Sequence, residues 1–161
     1  MGAYTRCMKK AARGIDLALC SQAAASCTAR NLRRATRAVS GLFDEAMQPA
    51  GLRISQFGLL VALALAEEAS VSKLAGLLEL DRTTMTRNLA PLERQGLVIS
   101  VASKDARNRV LRLTEAGRAT LARALPIWER VQARVVSGLG DARWKGLLRD
   151  LEATTSLTRS A

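Results

Sequence analysis

Two short stretches carry the residues whose types and spacing could do chemistry. In "DRTTMTR", residues 81–87, two arginines (Arg82, Arg87) and three threonines (Thr83, Thr84, Thr86) crowd seven positions. In "SKDARNRVLRLTEAG", residues 103–117, Lys104, Arg107, Arg109 and Arg112 fall within nine positions, interrupted by Asp105. Guanidinium groups pair bidentately with guanine edges or phosphates, and threonine hydroxyls donate or accept at either. That chemistry is recognition of a polyanion rather than bond making.

The composition narrows it further. The chain has 161 residues, 25 Lys+Arg against 14 Asp+Glu, and no histidine. The net charge of +11 and an isoelectric point near 11 point to anionic partners, nucleic acid first and an acidic membrane surface second. Without histidine there is no imidazole base, no Ser-His or Cys-His nucleophile pair and no mixed Cys/His zinc site. Glycine-rich phosphate loops are missing too. The expectation is therefore no enzyme, no cofactor and no metal.

The elements that must position these residues are mainly helical, since Ala and Leu dominate and aromatics are 3%. A long helix is expected from Ile15 to Met47, with Leu32, Ala35, Val39, Leu42 and Phe43 on one face, ended by "QPAG" (48–51). Ser55 is expected to cap a Leu/Ala-rich helix reaching Glu67. A short amphipathic helix follows in "SVSKLAGLLEL", with Val71, Leu74, Ala75 and Leu78 inward. Asp81 caps the next helix, whose Met85, Leu89 and Leu92 form a core stripe, and Gly96 ends it. On that helix Thr83, Arg87, Ala90 and Arg94 lie opposite the stripe, with Thr84 and Thr86 on its flanks. Pro91 removes the hydrogen bond to the Arg87 carbonyl, and a bend is expected there. "LVISV" and "RVLRL" read as two strands of a hairpin around "ASKDARN". Thr114 can cap a further helix, although Gly117 stands where a capping box wants Glu or Gln. That helix runs through Pro126 past Trp128. After "GLGD" a last helix carries Trp144, Leu147, Leu148 and Leu151 on one face.

Helix, turn, helix and hairpin in that order form a winged helix-turn-helix, which delivers one helix to a major groove. The chain from 52 to 121 resembles the MarR family of bacterial transcription regulators. The resemblance rests on "LDRTTMTR" entering the second helix, "LERQGLV" before the hairpin, "DAR" at its tip and "LTEAG" after it. It implies a mainly α fold with a small β-hairpin wing, flanked by N- and C-terminal dimerisation helices. The expected organisation is residues 1–53 as N-terminal segment and long dimerisation helix, 54–118 as DNA-binding region and 119–161 as C-terminal dimerisation helices. It further implies a homodimer on a pseudo-palindromic double-stranded DNA operator. There Arg107 enters the minor groove, where narrow A·T-rich DNA attracts arginine, and Asp105 buttresses it. Arg82, Thr83, Thr84, Thr86, Arg87, Lys104 and Arg109 complete the expected DNA-binding set. Repression relieved by a small anionic or aromatic carboxylate is the implied regulation. The stripe Arg30, Arg33, Arg34 and Arg37 is a solvated face, the lining of an anion site or an extension of the DNA-facing field.

Two alternatives stand beside this. Cys20 and Cys27 are seven apart, about 10 Å along a continuous helix, beyond disulfide reach. Cys27 precedes Arg30 by one turn, and nearby cations favour the thiolate. A redox-sensing regulator acting through Cys27 is thus a second reading, against small buried hydrophobes. A winged-helix module for protein contacts is the third. The N-terminus, basic then apolar, is broken by Asp16 and is not expected to act as an export signal. The longest apolar run, 57–66, is half the roughly 20 residues of a membrane span. A cytoplasmic protein with reduced cysteines, off the membrane, is expected.

Overall fold

In a computed structural model, residues 14–101 and 109–159 are described; the hairpin tip at 102–108, with Lys104, Asp105 and Arg107, lies outside them. The chain divides into two compact units, one up to Gly41 and one from Leu42 onward.

The first unit holds α1 (Leu17–Ser26) and most of α2 (Thr28–Met47). The expected single helix from Ile15 to Met47 is broken at Cys27, whose φ of −60° and ψ of 111° are extended. Asp16 starts α1, its carboxylate accepting the Ala18 and Leu19 N–H groups at 2.9 and 3.0 Å. The break frees carbonyls at the end of α1, and side chains just beyond it answer them. Arg30 donates to the Ala24 carbonyl, and Asn31 donates to Ala25 and Cys27 at 3.2 and 3.1 Å. Ser26 turns its hydroxyl back onto Gln22 at 2.8 Å, a local bond that weakens the helix there. No Gly or Pro marks the break in the sequence.

The second unit is built around α3 (Ile54–Ala66), preceded by a 3₁₀ turn at Gln48–Ala50. The cap of α3 is Arg53, not Ser55. Gln56 reaches back to accept the Arg53 N–H at 2.8 Å, and Asp44 accepts the Ile54 N–H at 2.7 Å. With those donors met, Ser55 lies in the first turn and donates instead to Asn88 Oδ1 at 3.2 Å. α3 buries Phe57, Leu59, Leu60 and Leu63, the last three with no exposure. At roughly 2 kcal/mol per fully buried Leu, this helix is the axis of the core.

Around it pack α4 (Val71–Leu77), α5 (Arg82–Arg94) and the start of α6 (Glu115–Leu139), contributing Leu74, Met85, Leu89, Leu92, Leu121 and Ala124. Trp128 of α6 stacks on Phe57 with ring centroids 6.2 Å apart. Strands β2 (Val98–Val101) and β3 (Val110–Leu113) pair antiparallel, as the two apolar runs predict. A strand absent from the sequence reading, β1 (Glu68–Ser70), pairs on the other side of β3, giving the order β1-β3-β2. β3 is therefore central, and its Leu111 and Leu113 are buried. The last helix, α7 (Asp141–Arg159), buries none of its described residues. Among the described residues no single helix is long and apolar enough to cross a membrane.

Candidate nucleic-acid interface

The turn between α4 and α5 aims the second helix. α4 ends in paired reverse bonds, Leu80 N–H to Ala75 O at 2.9 Å and Glu79 N–H to Gly76 O at 3.2 Å. They place Glu79 at φ 52°, a left-handed position more often filled by glycine. Asp81 then caps α5, accepting the Thr84 N–H at 2.9 Å and the Thr84 hydroxyl at 2.7 Å. These bonds, the hydroxyl foremost, hold the Asp81 carboxyl below its ordinary pKa. α5 runs on through Pro91 to Arg94. It closes with the same reverse pair, Leu97 N–H to Leu92 O and Gly96 N–H to Glu93 O, both 2.9 Å, with Gly96 at φ 67°.

Met85, Leu89 and Leu92 face the core as their spacing predicts, so the opposite side of α5 is open. Arg82, Thr83, Thr86, Arg87 and Ala90 line one shallow concavity on that side. The five threonines and arginines of the sequence reading are thus not equivalent. Thr83, Arg82 and Arg87 present exposed side chains, whereas the half-buried Thr84 is tied to Asp81. Thr86 donates to the Arg82 carbonyl at 2.9 Å and keeps its oxygen lone pairs for an incoming donor.

Arg109 makes three contacts within the protein. Its Nε donates to Ser100 Oγ at 2.8 Å across the hairpin, and its Nη2 pairs with Glu93 on α5. Its carbonyl accepts the Val71 N–H at 3.0 Å. Arg109 therefore ties the base of the wing to α5 and to the start of α4. Arg112 lies 3.9 Å from Glu68 across β3 and β1. Behind the wing, Thr114 caps α6 through the Gly117 N–H at 2.9 Å and donates to the Gly96 carbonyl at 2.7 Å. A Cβ at Gly117 would stand 2.1 Å from the Leu97 carbonyl oxygen, which explains why the capping-box position holds no Glu or Gln.

Cys20 and Cys27 are both exposed. They are not small buried hydrophobes, and with the helix broken at Cys27 the continuous-helix spacing no longer measures their separation. Arg30, Arg33, Arg34 and Arg37 are all exposed or partly exposed on α2.

A donor-rich helix face set beside a two-stranded hairpin, with a three-strand sheet joining both to the helix-turn-helix, defines a winged helix-turn-helix protein. Residues 52–108 match the MarR family. The structure of the M. tuberculosis transcriptional regulator MosR in complex with DNA is similar at TM-score 0.77 and 37% identity, over 84% of this chain and 98% of that one. The transcriptional repressor CouR bound to a DNA duplex is similar at 0.73 and 31%, over 80% and 92%. A mutant of E. coli MarR with operator DNA shares the fold at 0.74 and 19% identity, over 82% and 96%. No curated protein sequence matches. The chain belongs to the MarR family of transcriptional regulators.

Proposed function

We propose that the protein binds double-stranded DNA as a homodimer and represses transcription from a pseudo-palindromic operator. The observation that carries this is the open face of α5. Arg82, Thr83, Thr86 and Arg87 stand on it without a carboxylate among them, while Arg109 locks the wing alongside. A helix of this breadth enters a major groove, where Arg87 and Thr83 meet base edges and Arg82 the backbone. Arg107, flanked by Lys104 and buttressed by Asp105, is the arginine proposed for the minor groove. MosR and CouR, crystallised with DNA, support the partner.

Dimerisation is supported by the terminal segments. Leu147, Leu148 and Leu151 of α7 are 41, 46 and 38% exposed, and Ile15, Leu17 and Leu19 are exposed in the first unit. Apolar side chains grouped in this way mark an association surface. Release by a small anionic aromatic ligand belongs to the same proposal, with the Arg30–Arg37 stripe as a source of positive charge. The location proposed is the cytoplasm, where the DNA is.

Titration of a duplex by fluorescence anisotropy at several salt concentrations tests the reading. Affinity should fall with a log–log slope of about −0.9 per phosphate neutralised. A flat response would favour a winged-helix module for protein contacts. The exposure of Cys20 and Cys27 favours thiol regulation as a second reading. Sensing through Cys27 is abandoned if Cys27→Ser still loses DNA on peroxide treatment.

A further inference from the structure

One side of α2 carries a dense positive charge that the winged helix-turn-helix does not use. Between Asp16 and Asp44 the sequence has four arginines and no acid. These arginines, Arg30, Arg33, Arg34 and Arg37, recur at i, i+3, i+4 and i+7, so they share one helix face. All four are exposed. Arg30 donates to the Ala24 carbonyl, and among the described residues no carboxylate pairs with any of the four. The two acids that bound the stretch are engaged elsewhere. Asp16 accepts from the Ala18 and Leu19 N–H groups, and Asp44 from the Ile54 N–H.

The opposite side of α2 is apolar, with Leu32, Ala35 and Val39, and leads to the buried Phe43. The arginine face therefore meets a partner through charge and hydrogen bonds alone, and that discriminates among anions. A bilayer surface takes an amphipathic helix by its apolar side, with cations beside it; here that side lies opposite the arginines. A small carboxylate is held in a concavity. The stripe can draw one in by its field, but four exposed side chains on a helix surface enclose nothing. A nucleic-acid backbone fits better. Guanidinium groups pair bidentately with phosphate, and all four cations are arginine. By helical spacing Thr36 and Ser40 border the stripe, and hydroxyl side chains are regular phosphate contacts. Arg30 and Arg37 stand about 10 Å apart along the helix axis. That distance matches about three phosphates of one DNA strand.

We infer that the arginine face of α2 grips the phosphate backbone of a second duplex segment, apart from the one that α5 enters, so that the protein bridges two stretches of DNA. The inference rests on the DNA-binding reading. The four arginines belong to the first unit and to no part of the helix-turn-helix or hairpin, so the two contacts can be lost separately. A grip of this kind carries no base information.

The decisive variant combines Arg33→Gln, Arg34→Gln and Arg37→Gln. These side chains are exposed and without described ion pairs, so the unfolding midpoint and the light-scattering mass should match the wild type. The readout is capture of a fluorescent mixed-sequence duplex by protein already loaded on an immobilised one. The wild type should capture it and lose it steeply with salt, and the glutamine variant should capture about tenfold less. Arg33→Lys, Arg34→Lys and Arg37→Lys together keep the charge and should retain most of the capture. Affinity for a single short duplex should stay within about threefold at physiological salt, where charges beyond about 8 Å are screened. Unchanged capture by the glutamine variant would overturn the inference. So would an equal loss of capture and of single-duplex affinity, which would assign the stripe to the segment that α5 enters and leave the DNA reading standing. If the wild type binds one duplex but captures no second, the inference falls as well. Sedimentation with phosphatidylserine vesicles through the same arginines would then give the face to a membrane. Without salt-dependent binding of any duplex, the DNA reading fails first.

Discussion

The winged core and the last helix use the same kind of residues to opposite ends. In α3, Leu59, Leu60 and Leu63 have no exposure at all, and α5 buries Met85, Leu89 and Leu92 against them. In α7, Leu147, Leu148 and Leu151 recur at similar spacing, yet each is more than a third exposed. Apolar periodicity therefore says that a face wants a partner, and only the fold says whether the chain supplies it. The core closes on itself. The last helix leaves its leucines uncovered among the described residues, and a second copy is the proposed occupant.

That contrast can be broken from the core side first. Gly117→Ala should cost about 3 kcal/mol, because a Cβ there meets the Leu97 carbonyl oxygen at 2.1 Å and the backbone must shift. Chemical denaturation should show the loss at any protein concentration. From the other side, Leu148→Asp with Leu151→Asp should convert a dimer to monomers in light scattering. It should also abolish the concentration dependence of the unfolding midpoint. A dimer that survives this change would mean that α7 is not the association face.

Smaller effects sharpen the comparison within the core. Asp81→Ala removes the cap of α5 and should lower the unfolding midpoint near neutral pH. The sign with pH follows from the depressed carboxyl. Its contribution is complete above the ordinary aspartate pKa, near 3.9, and is lost as pH falls through the lower folded value. The gap between wild type and Asp81→Ala in denaturation should therefore close at strongly acid pH and stay constant above pH 5. Arg109→Ala should be the mildest for stability, no more than about 1 kcal/mol, since the Arg109 side chain is half exposed in its pair with Glu93. Its larger effect should be on DNA affinity, through a wing no longer tied to α5. Equal affinity in a duplex titration would reduce that tie to a surface ion pair.

Much of the fold was legible because its signals are local. Asp81, Gly96 and Thr114 each act within a few residues of the element they bound, and the stripe of Met85, Leu89 and Leu92 states its own period. What escaped is decided at a distance. β1 exists because three residues, Glu68 to Ser70, find β3 some forty positions later. The cap of α3 moves from Ser55 to Arg53 because Asp44, ten residues earlier, takes the Ile54 N–H. The break at Cys27 is held by Arg30 and Asn31 reaching back, which no breaker residue announces. The candidate interface divides along the same line. The exposure of Thr83 and Arg87 followed from the helical wheel. The attachment of Thr84 to Asp81 and of Arg109 to Glu93 required the fold.

The central place of β3 bears on how such a wing can vary. Its register is fixed twice, against Glu68–Ser70 on one edge and Val98–Val101 on the other. A slip of one residue would turn Leu111 and Leu113 out of the core on both edges together. Any variation of the wing must therefore keep that register up to Val101 and Val110, the last pair of the β2–β3 ladder.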